Sequence, residues 1–210
     1  MQSQKIPIMK SLFLLVVVWM PFSALYAQIY VQENFDSLIP PAWTIVDGGQ
    51  STGDSWVSGT VAGNNLNGSA CALVNSDANG NGTHLIETLI SPVFDASAAS
   101  SLFLDFEQYY RFSFVDSALV EVYDGSQWQI LLSQTANSVG AFNNPDQQHI
   151  DISAYKNAQM QIRFRYNDNN SWARYWLIDN VQVYNSNCVA PINFTAADLS
   201  PSTIQLDWTS

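Results

Sequence analysis

The sequence predicts an all-β fold, an antiparallel β-sandwich of the jelly-roll kind. Apolar side chains recur with a period of two in roughly eight short segments. Gly, Asn and Pro fill the stretches between them, and helical periodicity is almost absent. Short strands joined by turn-rich loops bury one face each, and two such sheets closing on each other make a sandwich.

Taken in order, the strand segments are residues 29–35 (IYVQENF), 69–75 (SACALVN), 83–91 (THLIETLIS) and 101–110 (SLFLDFEQYY). Residues 117–124 (SALVEVYD), 127–134 (QWQILLSQ), 158–167 (AQMQIRFRYN) and 175–184 (YWLIDNVQVY) follow. Tyr123-Asp124-Gly125-Ser126 marks a tight hairpin between two of them. In 158–167, Met160, Ile162, Phe164 and Tyr166 face one way and Gln161, Arg163 and Arg165 the other, a strand with one wet face. In 175–184, Leu177, Val181 and Val183 share a face, and Asp179 falls among them. A carboxylate placed so is costly unless its charge is compensated. His84 is expected in a strand and His149 in a turn-rich stretch.

Lys5 and Lys10, the apolar run 11–20 and the small residues before Ala27 make residues 1–27 a secretory signal peptide. The run is short for a bilayer span and no other stretch reaches that length, so the mature chain carries no expected span. Removing two lysines and no acids takes the net charge from −11 to −13. With no basic cluster to offset it, that charge excludes nucleic acid as a partner. Charged residues make up only 12% while Asn, Gln, Ser and aromatics abound, which suits an extracellular β-protein. Export permits a Cys71–Cys188 disulfide; the alternative is a buried Cys71 and a Cys188 that pairs elsewhere. No C-x-x-C occurs, which argues against redox catalysis.

Residues 28–186 form one domain, 187–191 a linker, and 192–210 the first two strands of another domain, so the chain is expected to be a fragment of a larger polypeptide. ENFDSLIPPAWTIVDGG, ALVNSDANGNGTHLIETLISPVFD and YWLIDNVQV, within residues 30–185, resemble the MAM-like jelly-roll family. More narrowly they resemble cleaved-adhesin or choice-of-anchor J domains of secreted Bacteroidota proteins. PINFTAADLSPSTIQLDWT resembles the opening of a fibronectin type III domain, Trp208 included. The resemblance implies a non-catalytic module attached to proteases or adhesins, a type IX secretion route, and structural calcium near the meeting of the terminal strands.

On that resemblance Asp36, following Phe35, and Asp179, in Ile178-Asp179-Asn180, match acid positions of the family, with Asn180 replacing a second acid. Glu33 joins them, since the first and last strands of a jelly roll lie together. Calcium takes six to eight hard oxygens. The rival reading has Asp179 accepting backbone N–H bonds or pairing with an arginine such as Arg174. Asp77 opens a D-x-N-x-N-G loop, whose twelfth position is Thr88 with Glu87 one residue early, so an EF-hand is rejected. Asp77 remains either a ligand in an oxygen-rich loop or part of a plain one.

Gly53-Asp54-Ser55 resembles a trypsin-like nucleophile loop, but Trp56 follows where glycine is expected. Asp105 and Glu107, two apart on one strand face, read as a glycosidase pair, a wet edge or a calcium ligand. Trp172, Tyr175 and Arg174 are the candidate ligand-binding residues, with Trp172 in loop-like sequence, because exposed rings stack on pyranose faces. The rival reading has these rings packing in the sandwich core or in a loop, since strands bury every second side chain. The expected function is a secreted, non-catalytic, calcium-stabilised adhesion module recognising an extracellular glycan or protein. The alternative is an accessory domain of a larger secreted protease or other hydrolase.

Overall fold

Alternating sequence builds two facing sheets in the computed structural model, which describes residues 28–49, 54–186, 192–200 and 203–209. In chain order the elements are β1 (Gln28–Glu33), β2 (Thr44–Val46), β3 (Val57–Gly59), β4 (Cys71–Asn75), the one-turn α1 (Ser76–Asn79) and β5 (Ile86–Ile90). Then come β6 (Phe103–Tyr110), β7 (Ser117–Tyr123), β8 (Trp128–Gln134), β9 (Asp146–Asp151), β10 (Ile162–Asn167) and β11 (Tyr175–Asn185). One sheet runs β3-β4-β11-β6-β9, with β1 also paired to β11; the other runs β2-β5-β10-β7-β8. Every pairing is antiparallel. The fold is an all-β sandwich, and first strand lies against last, with Glu33 opposite Val181.

The core is what alternation places between the sheets. Val74, Leu104, Phe106, Trp176 and Ile178 come from one sheet; Leu89, Val120, Val122, Ile162, Phe164 and Tyr166 come from the other. Burying each large side chain contributes about 1.5–3 kcal/mol. Trp176 sits at the centre, 5.6 Å from Trp56 and 5.9 Å from Phe164 between ring centroids. Its Nε1 donates to Gln108 Oε1 at 3.0 Å, which satisfies the one polar atom of a buried indole. The β7–β8 hairpin closes on Asp124, whose Oδ1 accepts from the Ser126 and Gln127 amides, with Gly125 at φ +96°.

Three strands lie outside the expected set. β2 and β3 are three residues each, and β9 (DQQHID) has no apolar alternation; each forms because a neighbouring strand offers a ladder. The histidines exchange places with expectation: His149 lies in β9, and His84 precedes β5. Met160 is buried and bridges Phe94 just before β10 begins.

The faces of β11 also differ from the expected period. Between Asp179 and Gln182 the register to β6 slips, and Asn180 adopts φ +50°. This β-bulge adds one residue and inverts the phase. Trp176 and Ile178 before it face the core together with Val181 and Val183 after it. Leu177 lies on the outer face, in a separate cluster with Leu66, Cys71, Leu73 and Tyr175. Asp179 belongs to that outer face as well, so Leu177 and Val181 do not share a side.

β12 (Ile192–Ser200) and β13 (Thr203–Thr209) pair as a two-stranded antiparallel sheet. The expected signal peptide, the expected linker and Cys188 fall outside the described residues. Cys71 is a buried free thiol that donates to the Gly59 carbonyl at 3.5 Å. Among the described residues no helix is long and apolar enough to cross a membrane.

Candidate functional site

β11 changes neighbour halfway along one edge. Residues 175–178 pair with β4 and residues 181–185 with β1, which leaves Asp179 and Asn180 at the handover. Asp179 is fully buried there; Oδ1 accepts from the Asn180 amide at 2.7 Å, and Oδ2 has no hydrogen-bond partner. Burial, then the charges of Asp36 and Glu107, push its pKa up to about 6 against the help of the Asn180 amide and the Asn67 side chain. Glu107 stands directly opposite on β6.

Phe35 fixes the other side of this junction. Its ring is fully buried and meets Trp43 edge-on at 5.1 Å, while φ of +53° turns the chain so that Asp36 is exposed. Such a conformation is uncommon for a bulky residue. The Phe35 carbonyl accepts from Ser58 Oγ at 2.6 Å, and Glu33 Oε1 accepts from the amides of Asn34 and Phe35. Asp36 Oδ2 accepts from Asn34 Nδ2 at 2.6 Å. Three of the four expected metal ligands, Glu33, Asp36 and Asp179, thus lie around the strand junction.

Asp77 does not join them. It sits in α1, where the expected oxygen-rich loop begins with a helical turn capped by Asn75, and it pairs with Arg174 at 2.7 Å. Arg174 immediately precedes β11, five residues before Asp179, about 16 Å at the rise of an extended chain. Among the described residues no three Asp, Glu, His or Cys side chains converge as a metal group. An ion at Asp36 and Asp179 would take its other oxygens from carbonyls, amides and water.

The ligand-binding trio also divides. Trp172 is 55% exposed, with Nε1 3.3 Å from the Asp77 carbonyl. Arg174 is committed to Asp77. Tyr175 is only 3% exposed and therefore offers no free ring face. Phe142 stacks on it, Tyr109 meets it edge-on, and its hydroxyl accepts from Arg111. An outer-face cluster over β4 and β11 buries it, which alternation alone does not reveal. Phe114, at 88% exposure and φ +66°, is a more exposed ring than any of the three.

The arrangement of widest chemical reach lies elsewhere on the outer face, around Asp105 and Glu107. Asp105 Oδ1 is 2.6 Å from His149 Nδ1, and Oδ2 accepts from the Tyr184 hydroxyl at 3.1 Å. Phe103 stacks on His149 with centroids 4.8 Å apart. Glu107 accepts from Asn67, Asn180 and Gln147 side-chain amides at 2.9, 3.0 and 3.4 Å. Asp105, Glu107, Gln147, His149 and Asn180 line a groove of about 440 Å³. A second groove of about 440 Å³, lined by Gln32, Glu33 and Asn34, shares Asn180 and Gln182 with the first. Sequence flags Asp105 and Glu107 but not their partners, because β9 lacks a strand signature and the bulge at Asn180 is silent.

No family model and no curated protein matches the chain. Among solved structures, it is similar to the K1 cleaved adhesin domain of Lys-gingipain from Porphyromonas gingivalis W83, at 20% identity and a TM-score of 0.56, over 73% of this chain and 96% of that one. The K3 cleaved adhesin domain of the same protein gives 15% identity and 0.57, covering 77% of this chain and 100% of that one. TmCBM61, solved with β-1,4-galactotriose, gives 9% and 0.54, covering 76% and 99%. At these identities the likeness carries the fold: this chain has the β-sandwich jelly roll of cleaved adhesin and carbohydrate-binding modules.

Proposed function

We propose that this protein is a secreted, non-catalytic binding module that recognises a glycan or protein outside the cell. The observation that carries this reading is the outer face of the six-stranded sheet. It presents an open trough of side-chain amides and hydrogen-bonded carboxylates, on a fold shared with adhesin and carbohydrate-binding domains. Asp105 and Glu107 project from the same face of one strand, each occupied by side-chain partners, rather than flanking a bond from two sides as hydrolysis needs.

Calcium at Asp36 and Asp179 belongs to the same proposal. The unpartnered Oδ2 of a buried carboxylate, with a second acid nearby, is the donor chemistry a hard cation takes. There it would neutralise Asp179 and tie the first strand to the last by binding only the folded state. Retention of the labelled chain, residues 28–210, on a panel of extracellular polysaccharides and surface proteins tests the function. Saturable retention by one class supports a binding module; no retention by any sinks it.

A further inference from the structure

Resting on that reading, we propose that the trough across β1, β11, β6 and β9 takes an uncharged, hydroxyl-rich oligosaccharide. Three inter-strand steps separate β1 from β9, about 14 Å at ordinary strand spacing, so the trough is extended enough for a chain of sugars. Both grooves meet at Asn180 and Gln182, which makes the surface continuous.

The lining chemistry selects the ligand class. Side-chain amides dominate: Gln32 and Asn34 at one end, Asn180 and Gln182 in the middle, Gln147 at the other. An amide that donates one N–H to Glu107 keeps a second N–H and a carbonyl oxygen, the donor and acceptor pair that a sugar hydroxyl matches. No lysine or arginine lines either groove, while Glu33, Asp105 and Glu107 do. On a chain of net charge −11, that repels uronic or sulfated glycans. A basic peptide is disfavoured because the carboxylates already have partners: Glu107 accepts from three amides, and Asp105 contacts His149 and Tyr184. Exposed His149, backed by Phe103, supplies a flat face for stacking on a pyranose.

The bulge gives independent support. Asn180 spends a left-handed conformation, with its side chain exposed and aimed at Glu107, where a regular strand would have cost nothing. Bulges re-aim side chains beside binding sites. Asn180→Gly keeps that backbone and deletes the amide, so it separates recognition from folding.

The test is calorimetric titration of residues 28–210 with uncharged β-1,4-linked galactose, glucose and xylose oligomers, with an oligogalacturonate and with oligolysine. The expected result is binding of an uncharged oligomer, weakened at least about tenfold in Asn180→Gly and in Glu107→Gln, with Asn180→Gly still melting in one cooperative transition well above the titration temperature. Binding that survives both variants overturns the site. Binding of only the oligogalacturonate or only oligolysine overturns the ligand class and leaves the binding-module reading standing. No binding here, with a surface protein retained in the broader panel, overturns the glycan proposal alone; silence in both experiments overturns the two together.

Discussion

Asp179 stands directly opposite Glu107 across the β11–β6 pair, two carboxylates at one rung of an antiparallel ladder. Like charges so placed are destabilising. Asn67 and Asn180 serve both: each side chain donates to Glu107, while the Asn67 side chain and the Asn180 backbone amide ease the charge of Asp179. The cost falls on Asp179, which is the buried member.

Replacing that carboxylate should therefore stabilise the metal-free protein. Asp179→Asn in chelator at pH 7.5 is expected to raise stability on the order of 1 kcal/mol, after allowing for solvent screening. Millimolar calcium should raise the melting temperature of wild type and leave the variant unmoved. A calcium shift that persists in Asp179→Asn would remove this residue from the metal proposal.

pH should act in the same direction. Burial raises Asp179 to about 6 and, chiefly through burial, Glu87 to about 7, from ordinary values of 3.8 and 4.5. Each group holds its proton more tightly folded than unfolded. The stability it contributes is fully present below the unfolded pKa and is lost as pH rises through the folded one. Melting in chelator should thus occur at higher temperature at pH 5.5 than at pH 7.5. Asp124, Asp95 and Asp151 shift downward through hydrogen bonds, and their stabilisation is lost only on acidification below that window.

Gln108 should be the most sensitive polar residue of the core. Its Oε1 accepts from Trp176 Nε1 and Gln134 Nε2, and its Nε2 donates to Asp146. Gln108→Ala strands the indole N–H and a second amide, at a cost of about 2–4 kcal/mol by denaturant unfolding. A change under about 0.5 kcal/mol would mean that water replaces those bonds.

Cys71 should be inert while the protein is folded. Burial, and then the nearby charge of Asp179, push its thiol up to about 12. In a Cys188→Ala background, maleimide labelling at pH 8 should be slow in native buffer and complete in denaturant. Fast native labelling would show that the cover over β4 opens.

The sandwich was legible where alternation is unbroken. β10 repeats its pattern through Ile162, Phe164 and Tyr166, and Asp124-Gly125 marks the β7–β8 hairpin without ambiguity. β9 was illegible because DQQHID has a single apolar residue and owes its existence to the β6 ladder. The faces of β11 were misassigned because one left-handed residue, Asn180, resets the phase, and nothing local to an Asn announces it. The polar loop singles out Trp172 as the candidate exposed ring but leaves loop packing open, and the structure leaves it 55% exposed. Alternation expects most of these rings to be buried, but the cluster around Leu66 and Phe142 that covers Tyr175 on the outer face comes from distant sequence.

The outer trough as the binding surface is tested most directly by hydrogen exchange of residues 28–210, with and without an excess of an uncharged β-1,4-linked hexose oligomer. Ligand-dependent protection should fall on the segments around Glu107, Gln147 and Asn180. Protection confined to residues 168–174, beside Trp172, or an absence of any ligand-dependent change, would contradict it.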